Sequence, residues 1–98
     1  MSLPALFPSP KLFIPSKTAD VEYVLRGIIY LGNYHFTARL VDGRDGVWQY
    51  DGRINGGLPA ADLPASHCVA NNIFTSSSLL NTHGPNEAHL LVYALREL

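Results

Sequence analysis

The 98-residue sequence has little cysteine, little charge and no long apolar run, and each shortage argues against a class of protein. Cys68 is the single cysteine, so no disulfide can form within the chain, which suits a reducing compartment. The five arginines and two lysines form no basic run, so we expect no nucleic-acid partner. No apolar run approaches the roughly 20 residues of a membrane helix, so we expect no membrane partner either.

Charged residues make up only 15 % of the chain, while apolar residues make up 47 %. An average globular domain has roughly 25 % charged residues, so little charge is left here for a solvated surface. This imbalance suggests that part of the surface meets a protein partner.

Four prolines among apolar residues distinguish the first 20 positions: Pro4, Pro8, Pro10 and Pro15. Because proline disrupts helices and central strands, we predict that residues 1–20 form an extended arm packed on a single β domain of residues 21–98. The start of the chain lacks the basic segment of a signal peptide, so the expected location is the cytoplasm or the nucleus.

Alternating β-branched and aromatic residues predict a mainly β fold, an antiparallel sheet of about four to six strands, with an α+β fold as the alternative. Gly32-Asn33 has the pattern of a two-residue hairpin turn, and residues 42–46 form a second turn. A helix is the competing interpretation for the last predicted strand. The predicted strands are 22–31, 34–41, 47–51 and 88–95.

Residues 52–86 are rich in glycine and proline, and this composition predicts mainly loop structure. We expect a short strand around Val69 to Phe74 and the start of a short helix between Thr75 and Leu80.

The two predicted turns define a register between the strands. In that register Tyr30 faces His35, Arg26 faces Arg39, Val41 faces Val47 and Arg39 faces Gln49. Because side chains alternate between the two faces of a sheet, one face becomes apolar and is the predicted core. The residues of this predicted core face are Leu25, Ile29, Leu31, Phe36, Ala38, Leu40, Trp48 and Tyr50.

The opposite face is predicted to be polar, with His35 and Asp51 as diagonal neighbours within reach of each other. We interpret this face as a binding surface for a partner. Arg26 and Arg39 would either splay into solvent or bind an acidic group or a chain terminus between them. The candidate binding residues are Arg26, Tyr30, Tyr34, Thr37, Arg39 and Gln49.

Four short blocks, in the same order, are similar to the C-terminal part of the ubiquitin-specific protease domain, a papain-like cysteine protease. The resemblance covers about residues 22–95 and implies a palm-type antiparallel sheet. It also implies that His35 matches the catalytic histidine and Asp51 the residue that orients it. The blocks are Tyr23-Val24-Leu25-Arg26-Gly27-Ile28-Ile29-Tyr30, His35-Phe36-Thr37-Ala38, Val47-Trp48-Gln49-Tyr50-Asp51-Gly52 and Leu90-Leu91-Val92-Tyr93-Ala94-Leu95.

The family's nucleophilic cysteine and its oxyanion-hole asparagine lie in an upstream block that these 98 residues do not contain. Tyr34 replaces the glycine before the histidine, and Phe36 replaces the tyrosine after it. Cys68 follows His35 in the chain, against the family order, and we interpret it as a small buried apolar residue. The spacing of His35, His67, His83 and His89 is not that of a zinc site, so we expect neither a metal nor a cofactor.

Three hypotheses follow. The first is a non-catalytic, protease-derived interaction module, whose partner is ubiquitin, another protein or a second copy of the chain. The second is one half of a split deubiquitinase, completed by a cysteine-bearing half-domain. The third is an unrelated small β binding domain, and the position of strand 88–95 separates it from the other two.

Overall fold

The computed structural model describes residues 8–15, 21–32, 35–71 and 79–96. This part of the chain is mainly β, as predicted, with seven strands, one α-helix and two single 3-10 turns at Asn55–Gly57 and Leu79–Asn81. The helix, α1, spans Leu63–Ala70. The strands are β1 Lys11–Ile14, β2 Val21–Gly32, β3 His35–Val41, β4 Val47–Tyr50, β5 Ala60–Ala61, β6 Thr82–His83 and β7 Asn86–Leu95.

The strands form one antiparallel sheet, curled into a half-barrel, in the order β5-β4-β3-β2-β7-β6. The long strand β2 lies at its centre. Strand β3 pairs with the second half of β2, and β1 pairs with its first half at Val21–Val24. On its other side β2 pairs with β7. The predicted last strand is therefore a strand of this sheet, and the helical alternative for residues 88–95 is wrong.

The hairpin registers were predicted correctly for one pair of strands and wrongly for the other. Between β3 and β4, Val41 faces Val47 and Arg39 faces Gln49, as predicted. Between β2 and β3, Tyr30 faces Thr37 and Ile28 faces Arg39, so the predicted pairs Tyr30–His35 and Arg26–Arg39 are wrong.

The cause of that error is the role of Gly32, which belongs to β2 and pairs with His35 rather than beginning the turn. A Cβ atom on Gly32 would lie 2.5 Å from Asn86 Oδ1 and 3.2 Å from Asn86 Cα. This position therefore excludes a side chain because β7 passes close by. Asn33 and Tyr34 lie outside the described residues.

The two faces of the sheet are exchanged relative to the prediction. Helix α1 and residues 79–83 cover the polar face, which holds Tyr30, Thr37 and Arg39. The predicted core residues Leu31, Phe36, Leu40 and Trp48 are exposed, whereas Ala38 is buried. The core combines both layers and contains Leu25, Ile28, Tyr30, Val41, Val47, Ala65, Cys68, Leu80 and Ala88.

A β-bulge at Arg26 brings Leu25 into this core. Leu25 faces Tyr93 and Gly27 faces Val92, so Arg26 is an extra residue in β2 with no counterpart in β7. Because a bulge shifts the alternation by one residue, Leu25 and Ile28 both point to the covered side. Leu25 was predicted to be in the core, but on the face that the structure leaves open.

Residues 52–86 contain a helix that the sequence analysis missed. Asp62 caps α1 by accepting a hydrogen bond from the Ala65 amide at 3.1 Å, and Pro64 lies in the first turn, where it needs no amide partner. Val69 is helical, so the strand predicted from that residue is wrong there. Ala70 is helical as well and Asn71 is the C-cap of α1, so the prediction is also wrong there, while residues 72–74 and the predicted helix start at 75–78 lie outside the described residues.

Part of the N-terminal arm is described. Tyr93 Oη donates a hydrogen bond to the Ser9 carbonyl at 2.8 Å, and the Leu25 amide donates to the Pro10 carbonyl at 3.0 Å. Residues 8–15 are thus attached to the sheet, while residues 1–7 and 16–20 lie outside the described part. Among the described residues, no helix has the length and hydropathy needed to cross a membrane.

Candidate functional site

A histidine and an aspartate meet at one end of the sheet, as the sequence predicted. His35 begins β3, and Asp51 follows directly after β4. His35 Nε2 lies 2.9 Å from Asp51 Oδ1, and each side chain is about one-fifth exposed. Nε2 is shielded from solvent, and its contact with the carboxylate lacks the alignment of an in-line hydrogen bond.

The Asp51 carboxylate is fixed from a second side, because Oδ1 also accepts a hydrogen bond from the Arg53 amide at 2.9 Å. This amide bond, followed by the His35 imidazole, holds the pKa of Asp51 below its ordinary value. Asp51 is therefore anionic at neutral pH. Since Nε2 contacts Asp51, Nδ1 is the nitrogen with which His35 would take a proton from a nucleophile.

A second histidine, His83, lies near this pair and was not singled out by the sequence analysis. Its Nδ1 is 2.8 Å from Thr37 Oγ1 and its Nε2 is 3.0 Å from Gln49 Oε1. Burial, followed by the charge of Arg39, lowers the pKa of His83, so the ring is neutral near pH 7. Gln49 Oε1 can only accept, so Nε2 donates to it and Nδ1 accepts from the Thr37 hydroxyl.

Arg39 holds residues 79–83 over the sheet and so positions His83. Its Nε donates to Asp62 Oδ2 at 2.8 Å, and both residues are buried. Its Nη1 lies 2.8 Å from the carbonyl oxygens of Leu79 and Thr82 and 3.0 Å from Tyr30 Oη. The acidic group expected near Arg39 is thus Asp62 of the same chain.

The predicted binding residues therefore differ in what they contact. Tyr30, Thr37 and Arg39 are buried and bind the chain itself, so the prediction that their face is open to a partner is wrong. Gln49 is half-buried against His83. Arg26 lies apart from this cluster on the bulge, and Tyr34 is outside the described residues.

The surface that the described residues leave open is the opposite face of the sheet. Six large apolar side chains on it are between 42 % and 56 % exposed. They come from β2, β3, β4 and β7, which lie side by side. Cross-strand pairs such as Leu31–Phe36 and Leu40–Trp48 place them on one surface, which we call the open face. The open face consists of Leu31, Phe36, Leu40, Trp48, Leu90 and Val92.

Comparisons with known proteins return no match. No protein-family model matches the chain, and neither the curated proteins nor the solved structures contain a match. Within the described ranges, no group of three or more histidine, cysteine, aspartate or glutamate side chains is arranged to hold a metal ion. The His35–Asp51 contact and the open face are therefore the two features of the described residues that bear on function.

Proposed function

We propose that the chain is a half-domain similar to the histidine-bearing part of ubiquitin-specific proteases, and that it acts as a protein-interaction module without catalysis of its own. The open face is the observation on which the proposal rests. Sheets in stable domains bury their apolar face against a second layer, and within the described part of the chain α1 and residues 79–83 supply such a layer on the polar side only. The location we propose is the cytoplasm or the nucleus.

The size of the open face supports a protein partner. Six half-exposed large side chains leave on the order of 500 Å² of apolar surface, near the upper limit for the largest patch on a monomer. A standard interface buries about 800 Å² per partner, and the surrounding residues of the sheet would supply the remainder.

The occupant that we propose is a second copy of the chain. The six residues of the open face are all uncharged, so two copies can bury these side chains against each other without desolvating a charge on any of them. Face-to-face packing of two sheets is a common way to bury such surfaces. Ubiquitin and a cysteine-bearing half-domain are the alternative partners.

A matched pair of leucine variants tests the proposal. Leu90 and Leu63 are both exposed, but Leu63 begins α1 and is not part of the open face. Leu90→Asp should weaken self-association at least tenfold in sedimentation equilibrium, whereas Leu63→Asp should leave it unchanged. A chain that stays monomeric at several hundred micromolar, or equal effects of both variants, contradicts self-association through this face.

The absence of catalysis is tested separately with a fluorogenic ubiquitin substrate and a thiol-reactive ubiquitin probe. We expect neither turnover nor labelling by the isolated chain, because its single thiol, Cys68, is buried in the core. Turnover by the chain alone would refute the non-catalytic assignment.

A split deubiquitinase is the second candidate, and the 2.9 Å contact between His35 and Asp51 favours it. In this case a separate polypeptide supplies the thiol and His35 Nδ1 accepts its proton. Mixing the chain with a cysteine-bearing half should produce ubiquitin hydrolysis that His35→Ala abolishes. The control is His67→Ala, an exposed histidine on α1, which should have no effect.

A further inference from the structure

A cleft lies at the opposite end of β3 from His35. The cleft encloses about 930 Å³ between the end of α1 and the sheet. This volume is within the roughly 300–1,000 Å³ of small-molecule sites. The buried residues Leu25 and Val41, together with Val69 of α1, form its apolar wall. The seven residues of β3 separate it from the His35–Asp51 pair by roughly 20 Å.

Three cations line this cleft in a chain whose net charge is −1. Lys11 Nζ and Arg96 Nη1 both lie 3.2 Å from the carboxylate of Glu22, so one carboxylate forms ion pairs with both cations. Asp45 is the only acidic residue among the lining residues. With Glu22 and Asp45 counted against the three cations, the cleft has an excess of about one positive charge.

Arg26 is the cation that is available for a ligand. Its side chain is half-buried, and within the described ranges no carboxylate forms an ion pair with it. Among the described residues, its Nη1 makes a long contact, 3.4 Å, with the Asp42 carbonyl oxygen. Arg26 is also the bulged residue of β2, and bulges commonly redirect a side chain next to a binding site.

We infer that this cleft binds a monocarboxylate attached to an aliphatic chain, with Arg26 holding the carboxylate and Leu25, Val41 and Val69 contacting the chain. The planar guanidinium matches a carboxylate in a two-bond arrangement. An excess of one charge suits a monoanion better than a phosphate dianion. Such a carboxylate occurs both in small aliphatic acids and at the C-terminus of an apolar peptide. The inference is independent of the proposed interaction module.

Titrations of the full chain, followed by amide NMR shifts, test the inference with four probes. Octanoate has both the carboxylate and the chain, octanol lacks the charge, and acetate lacks the chain. An acetylated trileucine peptide with a free C-terminus tests the peptide source. Saturable binding of octanoate or the peptide, at least tenfold tighter than octanol and acetate, supports the site and shows which source it prefers.

The variant Arg26→Gln should weaken binding of the preferred anion at least tenfold, and Arg26→Lys should weaken it less. Arg53→Gln, near Asp51 and outside the cleft, is the matched control and should bind as the unmodified chain does. Circular dichroism melts establish that each variant is folded. Equal binding of octanol and octanoate, unchanged binding by folded Arg26→Gln, or no saturable shifts up to about 10 mM of either anion would overturn the inference.

Discussion

Arg39 is a buried charge whose contacts join three distant parts of the chain. It links β3 to the cap of α1 through Asp62, and to residues 79–83 through two carbonyl oxygens. A buried charge is tolerated only when it is paired and hydrogen-bonded, and here both conditions are met. This pairing is what allows the polar side of the sheet to become the covered side.

We therefore expect strong coupling between Arg39 and Asp62. Arg39→Met should lower the free energy of unfolding by about 3–5 kcal/mol, because it leaves the Asp62 carboxylate buried without its cation. Asp62→Asn keeps a helix-capping side chain, and the double variant should lose less than the sum of the two single losses. Urea unfolding measures all four proteins, with Arg53→Met as a surface control, and additive losses would contradict the coupling.

The lowered pKa of His83 predicts that the stability of the fold depends on pH. Because burial lowers its pKa in the folded state, the unfolded chain takes up the proton first as the pH falls below about 6.5. The contribution of His83 to stability is complete above that pH and declines as the pH falls through the unfolded value toward the lower folded one. In the variant His83→Gln, the free energy of unfolding should therefore change less with pH between about 7.5 and 5.5.

His67→Gln provides the comparison, because His67 lies exposed on α1. This variant should keep the slope of the unmodified chain, measured by urea unfolding at each pH. Equal slopes for His83→Gln and the unmodified chain would show that His83 is not the titrating group.

For single residues, the sequence predicted the contacts that follow from the alternation of side chains along a strand. His35 and Asp51 fall on one face whether β2 and β3 pair as predicted or two residues away, so the error in that register left the prediction intact. The contacts of Arg39 with Asp62 and of His83 with Thr37 join residues far apart in the chain. No local pattern specifies such partners.

Among the elements, strands were predicted better than the segment that covers them. The alternation of residues in β2, β3 and β4 identifies them as strands without reference to the rest of the chain. Helix α1 is only eight residues long, and its signals, Asp62 as cap and Pro64 in the first turn, were interpreted as part of a loop. Because α1 was missed, the face that it covers was interpreted as an open binding surface for a partner.

Because β2 and β7 lie close together at Gly32, we expect a side chain added at this position to destabilise the fold. Gly32→Ala would bring a methyl group against Asn86, whose side-chain amide donates to the His35 carbonyl at 3.3 Å. We expect a loss of about 1–3 kcal/mol in the free energy of unfolding, as for other overpacked sites. Gly43→Ala, where a Cβ would meet nothing within 4 Å, should change it by less than about 0.5 kcal/mol.

Chemical denaturation followed by circular dichroism compares these two glycine variants directly. Amide NMR shifts at residues 35 and 86 should also change in Gly32→Ala alone. Similar stability of the two variants would mean that β2 and β7 can separate at this point without cost.

For the molecule as a whole, the low content of charge already suggested a surface that meets a partner. That expectation stays a prediction, and the described part of the chain leaves six large apolar side chains open on one face. Which face is covered was predicted wrongly, because the sequence contains one apolar and one mixed face and only the tertiary contacts of Arg39 decide between them. The identity of the partner stays a proposal, and the fluorescence of Trp48 tests it.

Trp48 reports on the open face, because it is the single tryptophan and is 42 % exposed there. If two copies pack through this face, its fluorescence should shift to shorter wavelength as the protein concentration rises, since the indole leaves water. Leu90→Asp should remove the shift, and Leu63→Asp should preserve it. An emission maximum independent of concentration in all three proteins would contradict packing over Trp48.

The central position of β2 also has a consequence for how the chain acquires its structure during synthesis. Tyr30 pairs with Ala88 and Tyr23 with Leu95, so one side of β2 has no strand beside it until the ribosome has made β7. Hairpins of β2, β3 and β4 can form early, but their backbone groups along that side stay unsatisfied in the nascent chain. Final folding should therefore be a late event, and chaperones that shield unpaired strand edges should engage the nascent chain before β7 emerges.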